Sequence, residues 1–274
     1  MKFIHPLLVV SLFFIYSCSQ PSEKESESSE NTEESEINSD VDSQTESQEK
    51  GKLKLYPANL DQEFPNAQLA MKSPASSNLE EGVQRFEFEV SNYELAVQTA
   101  MNSEKHCANS EKGQHIHFIL NNAPYRAEYE PQFDAELTTG NNVVLAFLSR
   151  SYHASIKNGK AFVFKNFFIG DNQFKFDEKA AHLFYSRPKG TYEGKDTERI
   201  LVDFFLINTA LSENGNKVRL TINEEVFLIS NWEAYFVEGL AKGKHTFRIE
   251  LLNSEGELIE GPFNDSGLRE IELK

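Results

Sequence analysis

Beyond residue 51 the apolar side chains recur at every second position, and the stretches that carry this period come in two matching sets. Phe86, Phe88 and Val90 alternate with Glu87 and Glu89, which puts the apolar groups on one face of an extended strand and the carboxylates on the other. The runs 115–120, 143–148, 217–222 and 245–251 are short, rich in β-branched or aromatic residues, and bounded by Gly and Asn. The period is two, not 3.6, so the body of the chain is predicted to be antiparallel β.

The repetition narrows this further. Gly113-Gln-His-Ile-His-Phe-Ile-Leu-Asn121 aligns with Gly215-Asn-Lys-Val-Arg-Leu-Thr-Ile-Asn223 at an offset of 102. One inserted residue later, the stretch from Leu137 to Leu145 matches that from Leu240 to Arg248 at an offset of 103. Leu69 to Pro74 precedes Gly82 and the Phe86 strand, just as Leu183 to Pro188 precedes Gly194 and the 200–206 strand. Landmarks in the same order predict two copies of one β unit, and a unit of about 100 residues suits an immunoglobulin-like sandwich. The expected fold is therefore all-β, with two tandem Ig-like antiparallel sandwiches at 66–170 and 182–274. A lead-in at 53–65 and a connector at 171–181 flank the first.

The first 52 residues have a different character. Lys2 precedes an apolar run from Pro6 to Tyr16 that ends in Ser17 and Cys18. Such a run is too short to span a bilayer, which takes about 20 residues, but it suits the core of a signal peptide. Residues 19–50 hold eleven Asp/Glu against two Lys, with Ile37 and Val41 as the only aliphatics. A segment so charged and so poor in apolar groups has nothing to bury, and it reads as a disordered tether over 18–52. Of the net charge of −16, −8 falls on residues 51–274. A body of that sign gives no electrostatic reason to bind nucleic acid.

Ile15-Tyr16-Ser17-Cys18 resembles the lipobox of bacterial lipoproteins, which implies cleavage after residue 17 and acylation of Cys18. No Asp follows the cysteine, and in similar lipoproteins this points to the outer membrane. The acidic residues beyond it resemble surface-export signals of Bacteroidetes lipoproteins, so the expected location is the outer membrane, on its periplasmic or its outer face. With Cys18 lipidated, Cys107 has no intrachain partner and is expected to be a buried inert thiol.

Gly113, His115, His117 and the later His153 resemble the Gly-x-His-x-His pattern of a group of secreted bacterial Ig-like domains. The second copy keeps Leu240, Gly243 and His245 of that pattern but carries Lys217 and Arg219 for the paired histidines. The chain also resembles uncharacterised Bacteroidetes lipoproteins, some labelled phosphopeptide-binding, that carry segments similar to Leu148-Ser-Arg-Ser-Tyr-His-Ala-Ser-Ile156 and Ser186-Arg-Pro-Lys-Gly-Thr-Tyr192.

Three chemistries compete. His115 and His117 share one strand face about 7 Å apart, and with His153 they can close on Cu or Zn. Lys217 and Arg219 in the second copy argue instead for an outward face that merely accepts polar groups. His106 lies in the preceding loop and is a further candidate ligand, while His182 and His245 are expected to be structural. Ser149-Arg150-Ser151-Tyr152-His153 superficially resembles the phosphothreonine loop of forkhead-associated domains, but one residue too many separates Arg150 from His153. Finally, Val143, Leu145 and Phe147 make the first copy's strand apolar on both faces, whereas its counterpart is amphipathic. These residues, with Arg150 beside them, are either covered by the rest of the chain, which is the expectation, or form a binding surface.

There is no Gly-x-Ser-x-Gly elbow, no glycine-rich phosphate loop and no His-Glu-x-x-His, hence no enzyme signature. The leading reading is a lipid-anchored envelope protein without catalytic activity that binds or scaffolds a protein partner and needs no cofactor. An extracytoplasmic Cu/Zn-binding protein is the first alternative and a phosphopeptide-binding module the second. Cys18→Ser is expected to move the protein from the membrane fraction to the soluble fraction; a wild-type protein that is already soluble overturns the anchor.

Overall fold

Alternation along each strand decides what its sheet buries, and here it builds a stack of four sheets. A computed structural model describes residues 53–60, 64–75, 79–100, 107–170 and 176–274. The leader, Cys18, the acidic tract and His106 lie outside the described residues. The first half supplies β1 (Lys54–Pro57), β2 (Gln68–Ser73), β3 (Gly82–Ser91), β4 (His115–Leu120), β5 (Arg126–Glu128), β6 (Gln132–Leu137), β7 (Gly140–Ser149) and β8 (Phe162–Ile169). The second half supplies β9 (His182–Arg187), β10 (Gly190–Tyr192), β11 (Ile200–Ile207), β12 (Lys217–Ile222), β13 (Glu225–Ile229), β14 (Tyr235–Glu238), β15 (Gly243–Leu252) and β16 (Arg269–Leu273). The one helical turn among the described residues is the 3-10 turn Gly194–Thr197.

Strand order repeats between the halves. Sheet β2-β3-β6 faces sheet β5-β4-β7-β8, and sheet β9-β11-β14 faces sheet β13-β12-β15-β16 in the same sequence of neighbours. The second pair gains an edge strand on each sheet. β10 pairs in parallel with β16, and β1 pairs antiparallel with β14, Lys54 opposite Glu238. The segment 53–65 thus does more than lead into the first sandwich: its strand closes a sheet of the second.

Turn chemistry repeats as well. Asn121 and Asn223 both adopt a left-handed backbone (φ 51° and 54°), a conformation that Asn tolerates better than most residues. Their side-chain oxygens accept from Val143 N–H at 2.8 Å and Thr246 N–H at 3.1 Å. Asn142 stands where the second copy has His245. Its amide donates to Thr138 O, and the His245 ring is bonded to the corresponding Ala241 O. Both side chains brace the same turn, which is the structural role expected for His245.

Each sandwich has its own core. In the first, Phe86 meets Phe118, Phe133 and Phe167 with ring centroids 4.9–6.0 Å apart. In the second, Ile200, Val202 and Phe204 pack on Leu220, Phe247 and Ile249. A third cluster lies between the sandwiches, where Ile119, Val143, Leu145 and Phe147 of the first meet Phe184, Phe205, Ile207 and Phe263 of the second. Phe147 stacks on Phe205 at 4.8 Å.

This seam removes the binding-surface reading. Val143, Leu145 and Phe147 are at most 1% exposed, and Arg150 is 4% exposed. The three apolar groups are covered by the second sandwich, and Arg150 donates to Ser155 O within its own turn. The forkhead-like loop is likewise folded inward, with Ser149 and Ser151 fully buried. Cys107 is buried too, and burial pushes its thiol up to about 12, consistent with an inert group.

One buried ion pair clamps the turn after β7 to the second sandwich. The β9–β11 register shifts between Asp203 and Phe204, and Asp203, fully buried, accepts from Ser155 N–H at 3.0 Å, Ser155 Oγ–H at 3.1 Å and Lys157 Nζ at 2.5 Å. Removing one partner of such a pair strands the other charge in a dry interior. Asp203→Ala is expected to cost about 3–5 kcal/mol, read from urea denaturation; a loss below about 1 kcal/mol would show that the seam is not clamped here.

Candidate functional site

The outward side chains of β4 are His115, His117 and Ile119, and the seam buries all three completely. The expectation that this face merely accepts polar groups therefore fails for the first copy. It holds for the second, where Arg219 is half-buried and pairs with Glu250 across the strands at 2.7 Å. The same strand position faces solvent in one copy and a second sandwich in the other.

Gly113 explains the start of the motif. Its φ is +88°, and a Cβ there would come within 2.6 Å of the Val97 backbone. The close approach turns Gly113 O toward His115, whose Nδ1 lies 2.8 Å from it. A carbonyl only accepts, so Nδ1 carries the proton and Nε2 is left with a lone pair. That lone pair points at the other two histidines: His117 Nε2 is 2.9 Å away and His153 Nδ1 is 3.1 Å away. All three ring nitrogens lie within 4.8 Å of one another.

His153 reaches this point from a strained backbone. It sits at φ +69°, in a turn closed by its N–H to Arg150 O. The second copy closes the same turn from Gly256 N–H to Asn253 O, and Gly256 has φ +84°. The first copy thus puts a histidine in a slot that its twin fills with glycine, at a conformational cost of order 1–3 kcal/mol that only surrounding structure can hold in place. The Asp203 clamp, two residues away at Ser155, supplies that support.

Tyr125 of the first sandwich and Ser186, Arg187 and Lys189 of the second complete the surroundings, residues whose role the sequence did not disclose. Ser186 Oγ is 3.1 Å from His117 Nδ1. Tyr125 stacks flat on the His117 ring at 3.6 Å and places its hydroxyl 3.2 Å from His153 Nδ1. Arg187 lies over the same phenol at 5.4 Å, and Lys189 Nζ at 4.2 Å. The segments around 148–156 and 186–192, which stood out in the sequence for their resemblance alone, meet here. The signal for Tyr125 was weaker: an aromatic after Pro124 in a loop carries no chemistry by itself.

Burial holds the three imidazoles neutral. It lowers His115 to about 4, with the positive charge of Arg187 adding to the shift and the Gly113 hydrogen bond opposing it. His117 lies well below the ordinary range through burial first and then its two histidine neighbours, Arg187 and Lys189. His153 is lowered by burial and by Arg187. Neutral imidazoles present lone pairs, the form in which histidine binds metal.

Without a cation the cluster is awkward. The His115 lone pair accepts one full hydrogen bond, from His117 Nε2–H or from His153 Nδ1–H. If His117 donates, His153 Nδ1 can accept from the Tyr125 hydroxyl at 3.2 Å, but its lone pair then faces that of His115 at 3.1 Å. An ion held between the three nitrogens would engage all of them, and Gly113 O and Ser186 Oγ would then hold the far nitrogens of His115 and His117, as outer partners of metal-bound histidines do. Three nitrogen donors without thiolate suit Zn or Cu. His182 takes no part: it is packed against Phe176 at 4.6 Å and bonded to Asp177 O.

No protein-family model and no curated protein matches the chain. Solved structures resemble it only distantly. Fibronectin(III)-like modules of the Clostridium thermocellum protein CbhA are 11% identical, with 75% of this chain and 93% of that one covered at a TM-score of 0.25. The tandem V-type regions of a v-region-containing chitin-binding protein are 7% identical, covering 76% and 99%, at 0.24. A Bacteroides ovatus glucan-utilization protein, SGBP-B, solved with a mixed-linkage heptasaccharide, is 9% identical, covering 76% and 71%, at 0.23. Similarity at this level leaves the site to be read from the chain's own geometry.

A histidine whose folded pKa lies below its unfolded value of about 6.5 binds fewer protons folded than unfolded as the pH drops through that interval. The metal-free protein is therefore fully stable above about pH 6.5 and loses stability toward pH 4, by about 1.4 kcal/mol per pH unit for each such histidine. Urea midpoints at pH 7 and pH 5 test this. His153→Asn, which suits the left-handed backbone, should reduce the loss; an unchanged pH slope would show that His153 is not held neutral.

Proposed function

We propose that this chain is a non-catalytic, lipid-anchored protein of the bacterial envelope whose tandem Ig-like sandwiches hold a transition-metal ion at His115, His117 and His153. The observation that carries the reading is the convergence of three ring nitrogens from β4 and the turn after β7, one of them delivered from a glycine-type backbone position. Packing alone has no use for that strain. The seam lends further support, because neutral imidazoles shielded from solvent are ready ligands that need shed no proton on binding.

The leader, Cys18 and the acidic tract support a location outside the cytoplasm, where a metal carrier or store on a tether is one form of the binding role. Phosphopeptide recognition loses its footing, since Arg150 and its flanking serines are folded into the turn.

Binding of Zn(II) and copper to the full chain, against His115→Ala/His117→Ala and His153→Asn, tests the proposal. Wild type is expected to bind one ion and to gain about 2.7 kcal/mol of stability at a free-ion concentration 100 times Kd. Both variants should bind at least about 100-fold more weakly. Because burial has already suppressed protonation of the ligands, binding should persist at pH 5.5, where ordinary histidines are mostly charged. Equal, weak binding by all three proteins would end the reading.

A further inference from the structure

We infer that the ion at this centre is monovalent copper, an assignment that rests on the three-histidine reading and comes from the charge that surrounds the nitrogens. Three neutral imidazoles bring no negative charge, and among the described residues no Asp, Glu or Cys joins the group. Two cations, Arg187 and Lys189, lie against the Tyr125 ring that stacks on His117. Arg187 is buried and forms no ion pair among the described residues; its Nη1 donates to Tyr192 Oη at 3.0 Å and, at 3.5 Å, to Lys189 O. Its guanidinium lies over Tyr125, the ring that stacks on His117. Lys189 reaches the same ring and donates to Tyr125 O at 2.6 Å.

Coulomb repulsion from these two groups acts twice as strongly on a divalent ion as on a monovalent one; buried Arg187 is screened little and exposed Lys189 more. Desolvation points the same way. Ring faces wall the cluster, with Tyr125 at 3.6 Å and Phe147 at 5.1 Å from His117 and Tyr129 at 5.1 Å from His115. Lower charge costs less in such surroundings. Zinc centres with three protein ligands keep an open position for water or substrate, whether the ligands are three histidines or include an anionic group. Imidazole donors by themselves suit copper and zinc alike, so the surrounding charge and the low-polarity walls decide between them. Three imidazoles in an aromatic pocket beside two cations favour the ion of lower charge.

The test is a pair of competition titrations on the full chain in detergent. Cu(I) is titrated against bicinchoninate under reductant without oxygen, and Zn(II) against a chromophoric chelator. Wild type is expected to hold Cu(I) at least about tenfold more tightly than Zn(II). Lys189→Met removes one cation from an exposed side chain that packs in no core cluster. It should raise Zn(II) affinity by about the square of the factor by which it raises Cu(I) affinity, because the repulsion removed scales with ion charge. Zn(II) bound as tightly as Cu(I), or a Lys189→Met effect equal for both ions, overturns the monovalent assignment and leaves the three-histidine centre standing. Binding of neither ion, or binding that His153→Asn does not weaken, overturns the centre itself and the assignment with it.

Discussion

Burial of the outward face of β5-β4-β7-β8 against the β1-β14-β11-β9 sheet is the constraint from which the other features of this molecule follow. An isolated sandwich of this size has one core and two wet outer faces. Here one outer face of each copy is dry, and Phe147 on Phe205 marks its centre. Full burial of an aromatic or branched side chain is worth about 1.5–3 kcal/mol, so a seam of this composition fixes the two copies as one body. That rigidity lets a histidine cluster on the first copy use Ser186, Arg187 and Lys189 of the second as its surroundings.

Duplication followed by divergence accounts for where the chemistry sits. The two copies keep the same strand order and the same Asn-centred turns, and they differ where their environments differ. On the outer face of β12, Arg219 pairs with Glu250, which Arg248 also contacts, and Arg248 with Asp265, an arrangement suited to water. On the matching face of β4 the seam would strand such charges, and uncharged imidazoles with satisfied outer nitrogens take their place. Gly256 shows the relaxed form of the turn that His153 occupies under strain.

The electrostatics of the site carry a tension. Burial strips the histidines of their protons, yet Arg187, itself buried without a carboxylate partner among the described residues, keeps the neighbourhood positive. Aromatic faces soften this, since the phenol of Tyr125 meets both the His117 ring and the two cations. A cluster that has already met the cost of neutral, converging imidazoles is primed for a ligand that accepts lone pairs and brings little charge.

Much of this was legible before any coordinates. Period-two patterning fixes strands and their inward sets, because alternate side chains must lie on opposite faces whatever the tertiary context. The offset of 102 residues identifies equivalent positions, and the pairing of His115 with His117 on one face follows from strand geometry alone. What a strand's second face meets is another matter, since it depends on contacts between residues far apart in the chain. The replacement of His115 and His117 by Lys217 and Arg219 suggested a solvated face, and folding put one face in solvent and the other in a seam. Nothing local to 53–65 announces that β1 will close a sheet of the second sandwich, and nothing local to Tyr125 or Ser186 announces a histidine as partner. The sequence by itself determined the strands, the repeat and the candidate ligands, through interactions that act within a few residues. Only the tertiary structure decided that three imidazoles converge and which charges surround them, because those distances are set by the docking of one sandwich on the other.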